Sequence, residues 1–228
     1  MKKSIIVLDN VWKTYRMGTN EVNALQGLNL EIKSGEFLAI MGPSGSGKST
    51  AVNMIGCLDV PTRGRIMLDN HDISRLSESR LAQIRGKKIG FIFQQFNLIP
   101  TLTAIENVML PMIFQSVDEV TRKERASKLL DSVGLGDRIT HKPSELSGGQ
   151  QQRVAIARSL ANNPEVIIAD EPTGNLDSKT GTAIMEFLQN IHKKERKTIV
   201  MVTHDANLAR IADGVEYLKD GRIINSLK

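Results

Sequence analysis
Eight residues, Gly42-Pro43-Ser44-Gly45-Ser46-Gly47-Lys48-Ser49, carry the spacing G-x-x-x-x-G-K-S/T. Glycines at those positions let a backbone wrap closely and turn its N–H groups inward. A helix that follows presents its positive end to an anion. Lys48 would place a point charge on the β- and γ-oxygens of a nucleotide, and Ser49, with Thr50 next to it, would offer a hydroxyl to Mg2+. The bland alternative is a glycine turn with a chance Lys-Ser, which the surrounding strand–loop–helix pattern disfavours. The acidic complement is VIIADE, Val166–Glu171. An apolar strand ending in Asp170 suits the shell of a Mg2+ ion opposite a phosphate loop. Glu171 follows at the carboxyl end of that strand, where open α/β sheets place their ligands, and a second carboxylate there could polarise a water. A solvated acidic turn fits poorly behind so apolar a run. A third apolar strand, VMVTHD (Val200–Asp205), ends in Thr203-His204. A lone histidine is usually structural, but one on this strand-end edge suits a γ-phosphate contact.

A second glycine stretch, Ser147-Gly148-Gly149-Gln150, opens the helix GQQQRVAIARSLANN. S-x-x-Q is a capping box, so the stretch reads equally as a good helix cap with two permissive glycines or as a second anion site at a helix N-terminus. Why one chain would carry two such sites is the question its sequence raises.

These groups need elements to hold them. Residues up to about Ile40 read as short strands divided by turns, with Lys33-Ser34-Gly35-Glu36 turning between two of them. GEFLAIM then runs into the glycine loop, and STAVNMIGCL follows as a helix. The middle, from about Ile99 to Ala161, is helical: DEVTRKERASKLLDSVGLG places Val120, Ala126, Leu129, Leu130 and Val133 near one face, and Gly134 and Gly136 act as stops. EVIIADEP and KTIVMVTHD are apolar runs of the buried parallel-strand type, with KTGTAIMEFLQNIHKK as the helix between them. Strand–helix–strand alternation predicts an α/β fold with helices packed on a parallel sheet.

Bulk properties set limits. The 228 residues suffice for one sizeable domain, and 40% apolar with 24% charged residues is ordinary globular composition. Net charge is +5, a mild excess that suits a nucleotide binder as well as an anionic surface. The single Cys57 excludes an intramolecular disulfide and fits a reducing compartment. No secretory signal opens the chain, and the longest uncharged run, Ile89–Ile105, contains Gln94, Gln95, Asn97 and Pro100, so it is no membrane span. The clusters RGKK (Arg85–Lys88) and HKKERK (His192–Lys197) read as solvated turns before strands rather than as nucleic-acid contacts.

The phosphate loop, Gln94 after an apolar strand, LSGGQ, IIADE, NLD and VTHD occur in this order along the chain, and together they resemble the ATP-binding-cassette (ABC) ATPases over essentially all 228 residues. The resemblance implies a P-loop NTPase with a RecA-like parallel sheet core, an N-terminal antiparallel β subdomain and an inserted helical subdomain. The implied division is about 1–94 with 162–228 for the core and 95–161 for the helical part. It implies ATP and Mg2+ as ligands, and a homodimer in which two cassettes meet head-to-tail around two ATP. Ser147, Gly148, Gly149 and Gln150 of one subunit would then face the γ-phosphate held by Gly42–Thr50 of the other, so the two glycine stretches become halves of one composite site.

Residue by residue, Tyr15 resembles the aromatic that stacks on adenine, with a buried strand tyrosine as the other reading. Gln94 resembles the glutamine that contacts Mg2+ and the attacking water. It is chosen over Gln95 because it directly follows FIF. Asp170 resembles the Mg2+ carboxylate, Glu171 the water-orienting base, His204 the switch histidine and Asp177 the loop aspartate that crosses the dimer interface.

Soluble family members act in DNA repair and translation and are the rival class. Gln94 to Leu146 spans only 52 residues, with no room for a coiled coil or zinc insertion, and one cassette is present rather than two. A regulatory module without turnover is disfavoured by the intact Asp170, Glu171 and His204. KTYRMGTNEVNAL, MIGCLD, FQQFNLIPTLTAIENVMLPM and EPTGNLDSKTG are similar to the lipoprotein-release, macrolide-efflux and cell-division cassettes. The implied setting is the cytoplasmic face of the cell membrane, reached only through integral permease subunits docked at the Gln94 loop and the helices after it. No nucleic-acid partner and no added C-terminal regulatory domain are expected.

Overall fold
Hydrophobic alternation in the first thirty residues produces a long antiparallel hairpin, β1 (Ser4–Met17) and β2 (Asn20–Lys33), closed by a tight turn in which Gly18 takes φ 62°. The computed structural model describes residues 3–224. They fall into two compact units, one from the N-terminal residues up to Arg85 together with those from Ile191 onward, the other Gly86–Asn190. The expected helical insertion at 95–161 is a narrower cut than the second unit, which also takes in two strands and most of a long helix.

In the first unit β1 also pairs antiparallel with β4 (Arg63–Leu68), which pairs with the short β5 (His71–Asp72), giving the order β2-β1-β4-β5. Ile6 and Leu8 of β1 and Leu28, Leu30 and Ile32 of β2 point to one buried face, as period-two alternation requires. The register shifts between Leu8 and Val11, where Asn10 has φ 47°, and this bulge brings Val11 back to the buried side. A second set of strands is parallel. β3 (Phe37–Met41) lies between β8 (Thr198–Val202) and β9 (Gly214–Lys219), and β10 (Arg222–Ile224) closes antiparallel on β9. Every residue of β3 and β8 is buried, which is why both read as unbroken apolar runs. Helix α1 (Lys48–Ile55) follows the glycine loop and buries Ala51, Val52, Met54 and Ile55. It stops at Gly56, short of the expected Cys57-Leu58 end.

Helix α2 (Glu78–Lys88) leads into the second unit, so RGKK is the last turn of a helix and not a turn before a strand. Cations there complement the negative end of the helix. The second unit pairs β6 (Ile89–Ile92) in parallel with β7 (Val166–Asp170). Its helices are α3 (Ala104–Ile113), capped by a Thr103–Glu106 box, α4 (Glu119–Ser132), capped by Asp118, α5 (Gly148–Leu160) and α6 (Ser178–Glu195). Helices α3, α4 and α5 pack on one another. On α4 the buried residues are Ala126 and Leu130, continued by Val133 just past its end. Val120 is 69% exposed, contrary to its expected place on that face. Six residues before Ala126 at 100° per residue lies about 120° around the helix, outside the buried stripe. The helix ends at Gly134 (φ 73°), with Gly134 N–H donating to Asp131 and Leu135 N–H to Leu130, a left-handed C-cap. A short helix α7 (Ala206–Ala209) follows β8 in the first unit.

Candidate active site
The phosphate loop is shaped by backbone crowding. Gly42 has φ 157°, and a Cβ there would lie 2.1 Å from the Leu218 carbonyl oxygen. Gly47 has φ 101°, and its Cβ would lie 2.5 Å from the Ala24 carbonyl. Both neighbours are main chain, so neither can yield. Gly45 also has positive φ (76°) but faces open space. Gly47 is the N-cap of α1, offers no side-chain acceptor, and no acidic residue sits in the first turn. The leading N–H groups of α1 are thus left for an outside anion. Lys48 Nζ donates to the carbonyls of Gly42 (2.8 Å) and Pro43 (2.7 Å), laying its ammonium across the loop. The Ser46 hydroxyl is buried and lacks a partner among the described residues. Pro43, Ser44, Gly45 and Ser49 are exposed, and Thr50 is half-buried one turn into α1.

His204 reaches the same edge. Ile40 pairs with Val202, and Thr203 N–H donates to the Ile40 carbonyl at 3.2 Å, so Thr203-His204 runs out of β8 beside Met41-Gly42. Thr203 is buried and His204 exposed. Tyr15 donates its hydroxyl to Asp59 (3.2 Å), and Lys13 Nζ, itself paired to Asp59 at 2.7 Å, lies 5.1 Å from the ring centroid. Burial first, and then the Asp59 carboxylate, push the Tyr15 phenol above its ordinary range.

The second unit carries the carboxylates. Ile92 pairs with Ala169 at the carboxyl end of β6 and β7, so Phe93-Gln94 and Asp170-Glu171 continue from one strand-end edge. Glu171 adopts φ 46°, a left-handed backbone that a glutamate holds at a cost of order 1 kcal/mol, and strain of this kind clusters at functional sites. Asn175 donates its side-chain amide to the Gln94 carbonyl (2.9 Å), and the Gln94 side chain lies against Gly174.

The Ser147–Gln150 stretch forms both halves of its capping box: Gln150 N–H to Ser147 Oγ (3.4 Å) and Ser147 N–H to Gln150 Oε1 (2.8 Å). Ser147 and Gly148 are exposed at the head of α5. A Cβ on Gly149 would lie 2.5 Å from the Thr180 methyl, and one on Gly148 would touch Phe96 and Leu176. Asp177 accepts from Thr180 N–H at 3.0 Å and so caps α6, and its hydrogen bonds to the Thr180 hydroxyl and N–H hold its carboxyl below the ordinary range.

The candidate groups therefore fall on two units: Tyr15, Gly42–Thr50 and His204 on the first, Gln94, Ser147–Gln150, Asp170, Glu171 and Asp177 on the second. Sequence reasoning passed over the polar side chains that brace them. Gln152 is fully buried in α5, Arg158 donates to the Phe96 and Asn97 carbonyls, and buried Asn107 bonds the Ile99 N–H and three carbonyls of residues 99–103. One signal for Gln152 was available: it stands three and four residues before the buried Ala155 and Ile156, on the core-facing stripe.

The residues fit a nucleotide and a hard cation. The loop has backbone-enforced glycines, an uncapped helix start and an orphaned buried hydroxyl. Ser49 on the first unit, and Asp170 and Gln94 on the second, are oxygen donors of the kind a hard cation takes, and no group of three or more His, Cys, Asp or Glu gathers among the described residues.

A family model described as ABC transporter matches residues 25–174. The ABC transporter ATP-binding protein MJ0796 of Methanocaldococcus jannaschii is 56% identical over 96% of this chain and 95% of its own. The macrolide export ATP-binding/permease protein MacB of Brucella melitensis is 48% identical over 97% of this chain, which spans 34% of that longer protein. A dimeric structure of a post-hydrolysis state of MJ0796 bound to ADP and Pi superposes with TM-score 0.90 at 53% identity, covering 98% of each chain. The phosphate loop, the Asp170-Glu171 strand end and the glycine-headed helix α5 all lie within the matched region, and the chain belongs to the ABC transporter family as an ATP-hydrolysing cassette with the P-loop NTPase fold.

Proposed function
We propose that this cassette pairs head-to-tail with a second copy around two ATP molecules and drives a separate integral membrane permease, in export, lipoprotein extraction or mechanical transmission. The observation that carries this reading is the unlike state of the two glycine-led helices. Helix α1 has no side-chain cap of its own, whereas the head of α5 is fully capped and stands exposed at Ser147 and Gly148. A two-fold dimer gives each half what it lacks, twice over. The dimeric MJ0796 cassette supports the arrangement.

In this reading the Gly42–Thr50 N–H groups and Lys48 hold the phosphates, and Tyr15 stacks on the base, worth roughly 1–3 kcal/mol. Ser49, Asp170 and Gln94 would hold Mg2+, which would supply neutralisation of the phosphate charge. Glu171 accepts a hydrogen bond from the attacking water and takes its proton as the terminal phosphoryl bond breaks, a contribution of about 10²–10⁴ in rate. His204 steadies the γ-phosphate. Ser147–Gln150 of the partner copy complete the anion cage from the open side, and Asp177 lies at the dimer interface. The exposed apolar Ile113 and Phe114 at the end of α3 and Val120 in the first turn of α4 support docking of permease cytoplasmic helices, with the cassette peripheral on the cytoplasmic face.

Complementation tests the composite site. Lys48→Ala and Ser147→Ala copies each lose turnover alone, but a mixed dimer contains one intact pair of halves. An equimolar mixture recovers about a quarter of wild-type turnover if subunits assort at random. A mixture as inactive as either parent contradicts the composite site.

A further inference from the structure
Helix α5 carries a polar side chain that neither a cap nor a core requires. Gln152 is fully buried and donates its amide Nε2 to the Pro172 carbonyl, while the Phe93 carbonyl lies 3.5 Å from the same nitrogen. Its Oε1 is buried and has no partner among the described residues. Leaving a buried acceptor unmet costs free energy, so a methionine would be the better choice if filling space were all that mattered. The two carbonyls it addresses are not arbitrary. Phe93 immediately precedes Gln94, and Pro172 immediately follows Glu171. The two segments are also tied directly, by Asn175 Nδ2 to the Gln94 carbonyl at 2.9 Å, with Gly174 against the Gln94 side chain.

Gln152 stands five positions after Ser147, at the exposed head of the same helix. We infer that Gln152 is a positioning residue, fixing Gln94 and Glu171 relative to the Ser147–Gln150 head so that engagement of that head sets the geometry of the hydrolytic groups. The inference rests on the roles proposed for Glu171 and Gln94. A side chain that bonds both flanking segments transmits a shift of α5 to both at once. Glu171, already held in a left-handed backbone, has little freedom to absorb that shift. Misplacement of a reacting group by about 1 Å can cost of order 10²-fold in rate.

Gln152→Met keeps the volume and removes both N–H donors. The expected result is a fall in kcat of at least about ten-fold, with KM for ATP changed by less than about two-fold. In the Glu171→Gln background it should leave ATP-dependent doubling of the solution mass intact. Asn175→Ala, at an exposed position, should also lower kcat without raising KM. Unchanged kcat in both variants overturns the inference, as does loss of ATP-dependent doubling in the Glu171→Gln, Gln152→Met protein when Glu171→Gln alone still doubles. If Glu171→Gln alone retains wild-type turnover, the parent reading fails, and the inference falls with it by a separately recognisable route.

Discussion

Two helices of this chain begin with glycines, and they begin differently. At α1 the glycines are imposed by main chain: Gly47 has φ 101°, with a carbonyl 2.5 Å from where its Cβ would stand, and the helix start has no side-chain cap. At α5 Gly148 and Gly149 have ordinary helical backbones, their nearest neighbours are side chains, and the start is satisfied by a complete capping box. The first is an anion cradle in its own right. The second is a sound helix cap that needs a ligand from elsewhere before it acts as anything more. Glycine count and helix position, the two features they share, do not separate them; backbone conformation and the identity of the crowding atoms do.

The contrast breaks most sharply at Gly47. Gly47→Ala meets main chain and a left-handed φ, so it should lower stability by about 1–3 kcal/mol in denaturant unfolding and abolish ATP binding by titration. Gly149→Ala should differ in kind. Alanine is favoured over glycine in a helix by up to about 1 kcal/mol in its interior and by less in the first turn, where Gly149 sits, and here that gain is offset by the Thr180 methyl. ATP binding should persist, and adding Thr180→Ser, which removes that methyl, should restore any lost thermal stability. Equal loss of binding in the two variants would erase the distinction between the helices.

The smallest expected effect concerns Asp177. Its carboxyl lies below the ordinary range in the folded state, through the Thr180 hydroxyl and N–H. A depressed folded value contributes stability that is full above the unfolded value, about 3.9, and is lost as pH falls through the folded one. Asp177→Asn keeps a capping acceptor without titrating. It should leave stability at pH 7 little changed and flatten the acid limb of the stability profile below about pH 4.

Much of this was legible before any coordinates. The phosphate loop, the strand–helix alternation, the strand-end acids and the capping box all rest on local spacing, and local spacing is what sequence records. The α4 face was misread at Val120 because an apolar residue six positions from the stripe was counted with it. The left-handed Glu171 had no signal, since its backbone is set by the loop that follows β7. Gln152 hid in a run of three glutamines, and only its burial sets it apart. Nor did spacing separate a glycine crowded by Thr180, 31 residues on, from one that is merely permissive.

The central claim is that the two glycine-led helices are halves of one site shared between two copies. Its most direct measurement is the solution mass of the Glu171→Gln protein, by light scattering after gel filtration, with and without ATP. A monomer that doubles only with ATP is the predicted result, and adding Ser147→Ala should weaken that doubling without weakening nucleotide binding. A protein that binds ATP tightly while its mass stays constant would contradict the account and return the head of α5 to a helix cap.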